Sequence, residues 1–240
     1  HLCSAQLPTT LTAEQSMVIG TAGMTAMMCV LHLERAGELR PSHGPVLVTG
    51  AAGGLGQIAV ALLSARGFEV VASTGRAEQQ EAHLRRLGAA EVVGRLEPPS
   101  GPLGKQRWAG VVDSVGGTTL ASAITQTMYR GAVASTGVAG GGDLSATVFP
   151  FILRGVRLLG VDSTLPWNVD GYPADKERWR GWRDERRLLW ELLAESLSPE
   201  ALSLVHSDTI GLADVPDYAP KILKGGIAGR VLVDVGGVRS

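Results

Sequence analysis

The chain has 240 residues, 45% hydrophobic and 19% charged, with 32 glycines: a globular profile with a buried core and many tight turns, sized for one large or two small domains. Lys plus Arg number 22 against 23 Asp plus Glu, for a net charge of −1, so the basic excess that a nucleic-acid surface needs is absent. No run of about 18 apolar residues is free of both charge and glycine, which argues against a membrane span; no signal-peptide pattern is seen, and a cytoplasmic setting follows by default.

The chain opens on His1, and HLCSAQLPTTLTAEQ runs straight into a helix signal, so an upstream segment is expected to be missing. LTAEQSMVIGTAGMTAMMCVLHLERAG reads as helix. Thr12 is its N-cap candidate, with Gln15 at the capping-box spacing. Gly20 and Gly23 interrupt the pattern and predict two helices with a break. ELRPSHGP then reads as loop.

From Val46 short apolar runs alternate with helical stretches. VLVTG, FEVVAST, EVVG, WAGVVDSVG, GAVASTGVAGG and VRLLGVDST are predicted strands. GLGQIAVALLSARG is a helix ending at Gly67, AEQQEAHLRRLGA one ending at Gly88. TTLASAITQTM and the short TVFPFILRG are the next two helices. Apolar strands alternating with helices predict a parallel sheet covered on both faces. Right-handed crossovers make it a doubly wound α/β sheet, the Rossmann arrangement. Beyond Leu165 the pattern changes. PWNVDGYPADKERWRGW reads as an irregular excursion, RDERRLLWELLAESL as an amphipathic helix, and LVHSDTIGL and GRVLVDVG as strands flanking the helix VPDYAPKILKG.

After the first strand comes Ala51-Ala52-Gly53-Gly54-Leu55-Gly56, then a helix. This is the dinucleotide fingerprint with Ala for its first Gly. The loop must turn sharply and bring backbone N–H groups to a pyrophosphate, while the helix directs its positive end at the phosphates. Gly56 allows helix and strand to pack closely. The strand-loop-helix context lifts the motif above a plain tight turn. The second strand ends Ser73-Thr74-Gly75-Arg76, with no carboxylate where an NAD site places one for the ribose. A guanidinium there grips a 2′-phosphate, so NADPH is favoured over NADH. The competing reading makes Arg76 a solvated charge and Ser73 a helix cap. Asp113-Ser114-Val115-Gly116-Gly117 and Ser135-Thr136-Gly137 close the fourth and fifth strands. They would line the nicotinamide side through Ser114, Val115 and Gly137, or merely turn the chain.

IGTAGMTAM, VLVTGAAGGLG, VVASTGR, LGAAEVV, PLGKQRWAGVVDSVGG, FILRGVRLLGVDS and GRVLVDV together resemble the acrylyl-CoA reductase group of the medium-chain dehydrogenase/reductases. The likeness spans nearly the whole chain. It implies a zinc-free, NADPH-dependent enoyl-thioester reductase acting on a small, CoA-linked substrate. It puts Gly53, Gly54 and Leu55 on the pyrophosphate, Ser73 and Arg76 on the 2′-phosphate, and Thr25 and Arg230 near the cofactor. It also implies a barrel-like N-terminal domain before LPTTLTAEQ, expected to be absent here, and no counterpart in the group for the excursion after Leu165. On that basis residues 20–165 are the dinucleotide-binding domain. Residues 1–19 and 166–240 are a linker helix and the C-terminal remnant of the substrate side.

The implied chemistry is hydride addition to the β-carbon of a 2-enoyl thioester, followed by protonation at the α-carbon. It needs alignment and donors for an enolate oxygen, not a side-chain nucleophile. No nucleophile elbow is present. A truncated NADPH-binding module without turnover, and a zinc-free quinone oxidoreductase, remain the alternatives. Cys3 and Cys29 are too few for an all-thiolate zinc site and read as reduced and buried. His1, His32, His43, His83 and His206 read as helix-surface or loop residues. Arg178, Arg180, Arg183, Arg186 and Arg187 read as a solvated helix face, with coenzyme A phosphates as the sharper option. Trp167, Trp179, Trp182 and Trp190 read as packing or as a contact in a homo-oligomer.

Overall fold

The computed structural model describes residues 7–163 and 176–236, with the backbone alone described over 176–185. The chain enters through α1 (Ala13–Arg35), capped as its sequence predicts. The Gln15 amide donates to Thr12 Oγ1 at 3.1 Å, and the Thr12 amide donates to Gln15 Oε1 at 3.0 Å. The break falls at Gly20 alone (φ 47°, ψ −156°), while Gly23 stays helical. α1 does meet the length and composition test for a membrane span, contrary to the sequence expectation, because its glycines are absorbed into a helix. Of that apolar stretch, 67% is buried inside the protein.

Six strands follow: β1 (Val46–Thr49), β2 (Val70–Ser73), β3 (Glu91–Val93), β4 (Trp108–Asp113), β5 (Thr127–Ser135) and β6 (Arg157–Gly160). They form one parallel sheet in the order β3-β2-β1-β4-β5-β6. Between them run α2 (Gly54–Ala65), α3 (Ala77–Arg86), α4 (Gly117–Gln126) and α5 (Phe149–Arg154). Side chains alternate across a strand, so each central strand feeds two cores. Val46, Val48, Val70, Ala72, Val112, Ala132 and Ala134 join α1 and α2 on one face. Leu47, Val71, Val111 and Val133 join Leu120, Ala123 and Ile124 of α4 on the other. Both faces are covered, and the strands are therefore apolar throughout rather than alternating.

β5 begins earlier than its sequence suggests. The fourth helix stops at Gln126, where Thr127 turns extended and pairs with Trp108, its hydroxyl satisfying the Ala123 carbonyl at 2.8 Å. After the sheet come α6 (Lys176–Ser196), α7 (Pro199–Val205), β7 (His206–Gly211), α8 (Val215–Leu223) and β8 (Arg230–Asp234). The helix expected from Arg183 already runs from Lys176, and Leu204 and Val205, read as strand, end a helix that Ser198 caps through the Ala201 amide. Leu189, Leu193 and Leu197 form the buried stripe that seats α6 on the α1 side of the core, with Trp190 packed beside them. β7 and β8 pair in parallel, with α8 crossing between them.

Residues 164–175 of the excursion, Trp167 included, lie outside the described residues, as do His1, Cys3 and the side chains of Arg178, Trp179, Arg180, Trp182 and Arg183. Arg187 meets Glu191 one turn on at 3.7 Å. Cys29 is fully buried.

Candidate functional site

The sheet order reverses between β1 and β4: the chain leaves β1 toward the α2 face and β4 toward the α4 face. Doubly wound sheets take their ligands in the crevice at the carboxyl ends of the strands flanking such a reversal, here those of β1 and β4.

The β1–α2 elbow forms its lip. Gly53 is the N-cap of α2, with extended backbone and no side-chain cap. Its own amide turns back to the Gly50 carbonyl at 2.9 Å. The next amides, of Gly54, Leu55 and Gly56, open the helix and have no carbonyl one turn behind them. Their positive end faces the crevice. At Gly56 a Cβ would stand 2.4 Å from the Gly50 carbonyl oxygen and 2.6 Å from Ala51 Cα, so glycine alone lets helix and strand meet this closely. The Gln57 side chain, fully buried, donates to the Ala52 carbonyl at 3.2 Å and steadies the turn.

The far end of the chain closes over this elbow. The Gly229 amide donates to the Ala52 carbonyl at 3.0 Å, and Gly229 bridges Gly53. Arg230 lies across Gly54: a Cβ there would stand 2.5 Å from Arg230 Cδ. Its guanidinium donates through Nε to the Val18 carbonyl at 3.2 Å and reaches Gly20 at the α1 break. Burial lowers its pKa, and no carboxylate offsets that among the described residues. Gly53, Gly54, Leu55 and Arg230 are thus brought together.

The tips of β2 and β3 make the second wall. Ser73 is buried, and its hydroxyl donates to the Gly94 carbonyl at 2.9 Å, tying β2 to the β3 loop. Arg76 opens α3, and its Nη2 donates to the Ile227 carbonyl at 3.1 Å. Arg95, not among the residues expected from the sequence, joins this wall: its Nε stands 2.6 Å from where a Gly75 Cβ would be. Its only sequence signal is that it follows the predicted strand EVVG. The Arg95 guanidinium thus lies against Gly75, and Arg76 is the next residue in the chain.

The third wall is the pair of loops after β4 and β5. The Ser114 hydroxyl donates to the Thr49 carbonyl at 3.1 Å, Val115 covers Gly50 and Gly140, and Gly137 lies against the backbone of Ser114. Thr25 stands on α1, which packs against β4 and β5. It is buried, its hydroxyl donating to the Thr21 carbonyl at 2.7 Å. Of the histidines, His83 reaches the buried Gln57 side chain at 3.2 Å, and burial lowers its pKa.

An uncapped glycine elbow at the reversal point of a doubly wound sheet defines the dinucleotide-binding class of α/β domains. Residues 54–169 match the family model described as zinc-binding dehydrogenase. Acrylyl-CoA reductase AcuI of Ruegeria pomeroyi is 46% identical over 233 residues, covering 95% of this chain and 65% of that protein. YhfP of Bacillus subtilis, provisionally named a quinone oxidoreductase, is 44% identical over 231 residues, covering 95% and 64%. Its crystal structure, described with NAD bound, superposes with a TM-score of 0.83 at 42% identity over 96% of this chain and 66% of that one. YhdH of E. coli K-12, described with bound NADPH, superposes with a TM-score of 0.84 at 42% identity, over 97% and 67%. The chain belongs to the medium-chain dehydrogenase/reductase family, in the group of the acrylyl-CoA reductases and YhdH. It spans 64–65% of the length of the curated relatives it matches. Among the described residues no group of three or more His, Cys, Asp or Glu side chains is placed to hold a metal ion.

Proposed function

We propose that this chain is the nucleotide-holding part of an NADPH-dependent reductase that saturates the C=C bond of a 2-enoyl, CoA-linked thioester. The observation that carries the cofactor half is the charge at the second wall. Arg95 lies against Gly75, Arg76 follows it in the chain, and residues 73–76 hold no carboxylate. A 2′-phosphate is attracted there, whereas a ribose diol lacks its usual acidic partner. The Arg230 guanidinium beside the head of α2 supports a pyrophosphate on Gly53, Gly54 and Leu55, since two positive features converge there and, among the described residues, no carboxylate offsets them.

The cofactor supplies a hydride for the alkene β-carbon when bound. The residues of this chain bind and orient: the elbow amides and Arg230 hold the pyrophosphate, Arg76 and Arg95 the 2′-phosphate, and Ser73 the β2–β3 wall behind them. Ser114, Val115 and Gly137 line the nicotinamide side, and Thr25 stands on the helix that backs those strands. We assign residues 20–165 to the nucleotide unit, and 1–19 with 166–240 to the linker and the substrate side. The name of the R. pomeroyi relative supports the thioester. The name of the B. subtilis relative supports a quinone acceptor as second reading, and the NAD in its structure weighs against a strict preference for NADPH.

The test is titration of the chain with NADPH and NADH, then turnover of acrylyl-CoA against a quinone. NADPH is expected to bind at least about tenfold more tightly, a difference of about 1.4 kcal/mol. Equal affinities would remove the 2′-phosphate assignment, and quinone turnover without acrylyl-CoA turnover would replace the substrate.

A further inference from the structure

Asp113 ends β4 with no exposed surface. A carboxylate buried this way loses its hydration, and burial pushes its pKa up. The offsetting donors come from the end of β1 and from the loop after β4. Oδ1 accepts from the Thr49 hydroxyl at 2.7 Å, and Oδ2 accepts from the Gly116 amide at 2.8 Å. Thr49 Oγ1 in turn accepts from the Ser114 amide at 3.2 Å. The backbone carbonyl of Asp113 accepts from the Thr136 amide at 2.9 Å. One residue therefore joins the ends of β1, β4 and β5.

The loop it holds also meets the loop after β5 directly. Gly116 sits at φ 72°, and a Cβ there would stand 2.4 Å from the Gly141 carbonyl oxygen. The Gly140 amide donates to the Val115 carbonyl at 2.6 Å. The loops after β4 and β5 thus meet largely backbone to backbone, with the Val115 side chain packed between Gly50 and Gly140. The carboxylate beneath them supplies a fixed reference.

We infer that Asp113, acting through Thr49, is a positioning residue that sets the Ser114–Gly116 segment against which the nicotinamide end of the cofactor rests. It does not touch the cofactor. The inference rests on the reading that the crevice holds NADPH. It adds a division of labour: the β1–α2 elbow and the arginines hold the phosphates, while the Asp113–Thr49 pair orients the ring.

The test compares the whole chain with its Thr49→Val and Asp113→Asn variants, which preserve shape. Two ligands are titrated: NADPH, followed by the emission of its reduced nicotinamide, and adenosine 2′,5′-bisphosphate, which lacks that ring. Thermal melts check that each variant is folded. Both variants are expected to bind adenosine 2′,5′-bisphosphate within about twofold of the parent and NADPH about tenfold more weakly, the loss of one or two net hydrogen bonds. The emission of bound nicotinamide should move toward that of free cofactor. Parallel loss for both ligands, or no change for either, overturns the inference. So does a parent chain that binds NADPH without altering its emission. A parent chain that binds neither ligand instead overturns the NADPH reading itself, and the inference with it.

Discussion

Arg76 and Ile227 are 151 residues apart in sequence and joined in space: the guanidinium donates to the Ile227 carbonyl at 3.1 Å. The group proposed to grip a 2′-phosphate therefore also anchors the C-terminal segment that crosses the glycine elbow. Arg76→Asp removes both roles, and Arg76→Met removes them without reversing charge. Arg76→Asp is expected to weaken NADPH binding about 100-fold, from the loss of a charge-assisted contact and the new repulsion, with NADH changed by no more than about threefold. A similar loss for both cofactors in both variants would assign Arg76 to anchoring alone.

Arg95 is expected to share that load. Arg95→Glu places a carboxylate beside Gly75, where a ribose diol finds a partner and a 2′-phosphate is repelled. The ratio of NADPH to NADH affinity should fall by about tenfold or more, the value of one charged contact. Isothermal titration of the two cofactors measures it directly, and an unchanged ratio would remove Arg95 from the site.

Arg230 and Gly54 test the closure over the elbow. Gly54→Ala sets a methyl 2.5 Å from Arg230 Cδ, which overpacks the contact and is expected to cost about 1–3 kcal/mol of stability. Adding Arg230→Ala makes room for the methyl. The double variant should regain part of the stability while still binding NADPH poorly, because the guanidinium is gone. Additive losses in stability would show that the two side chains do not meet.

Gly56→Ala drives a methyl into backbone, the Gly50 carbonyl and Ala51 Cα, which have nowhere to yield. A loss of about 1–3 kcal/mol is expected in urea unfolding. Gly101→Ala is the control: nothing lies within 4 Å of its Cβ position, and stability should stay within about 0.5 kcal/mol.

Cys29 carries a pH prediction. Burial pushes its thiol up to about 12 from an ordinary 9.0. The folded chain holds this proton more tightly than the unfolded chain. The stability it contributes is therefore whole below pH 9 and is lost as pH rises toward 12. Relative to Cys29→Ala, the chain should lose about 2 kcal/mol between about pH 8 and pH 10.5, a slope of about 1.4 kcal/mol per unit. A constant difference between the two proteins across that range would contradict the burial of the thiol.

Much of this architecture was legible because it is local. The Thr12–Gln15 capping box, the apolar strands, and the glycines at positions 67 and 88 that follow α2 and α3 announce themselves within a few residues. The misreadings share a cause. Thr127 and Met128 continue a helical pattern, yet Thr127 turns extended and the neighbouring strand claims the pair. Leu204 and Val205 have strand-forming character, yet complete a capped helical turn. Pairing and capping overrode local preference in each case.

A doubly wound sheet with a glycine elbow ahead of a helix can be read from the order of residues alone, since periodicity and glycine placement are written residue by residue. The same order supplies the charge at the tip of β2. That Arg95 lies against Gly75, that Arg230 crosses Gly54, and that Asp113 ties the ends of three strands together emerges from the folded chain alone. Those juxtapositions depend on which strands are neighbours and where the chain's far end returns. Contacts between distant residues leave no periodic trace in the order of the amino acids.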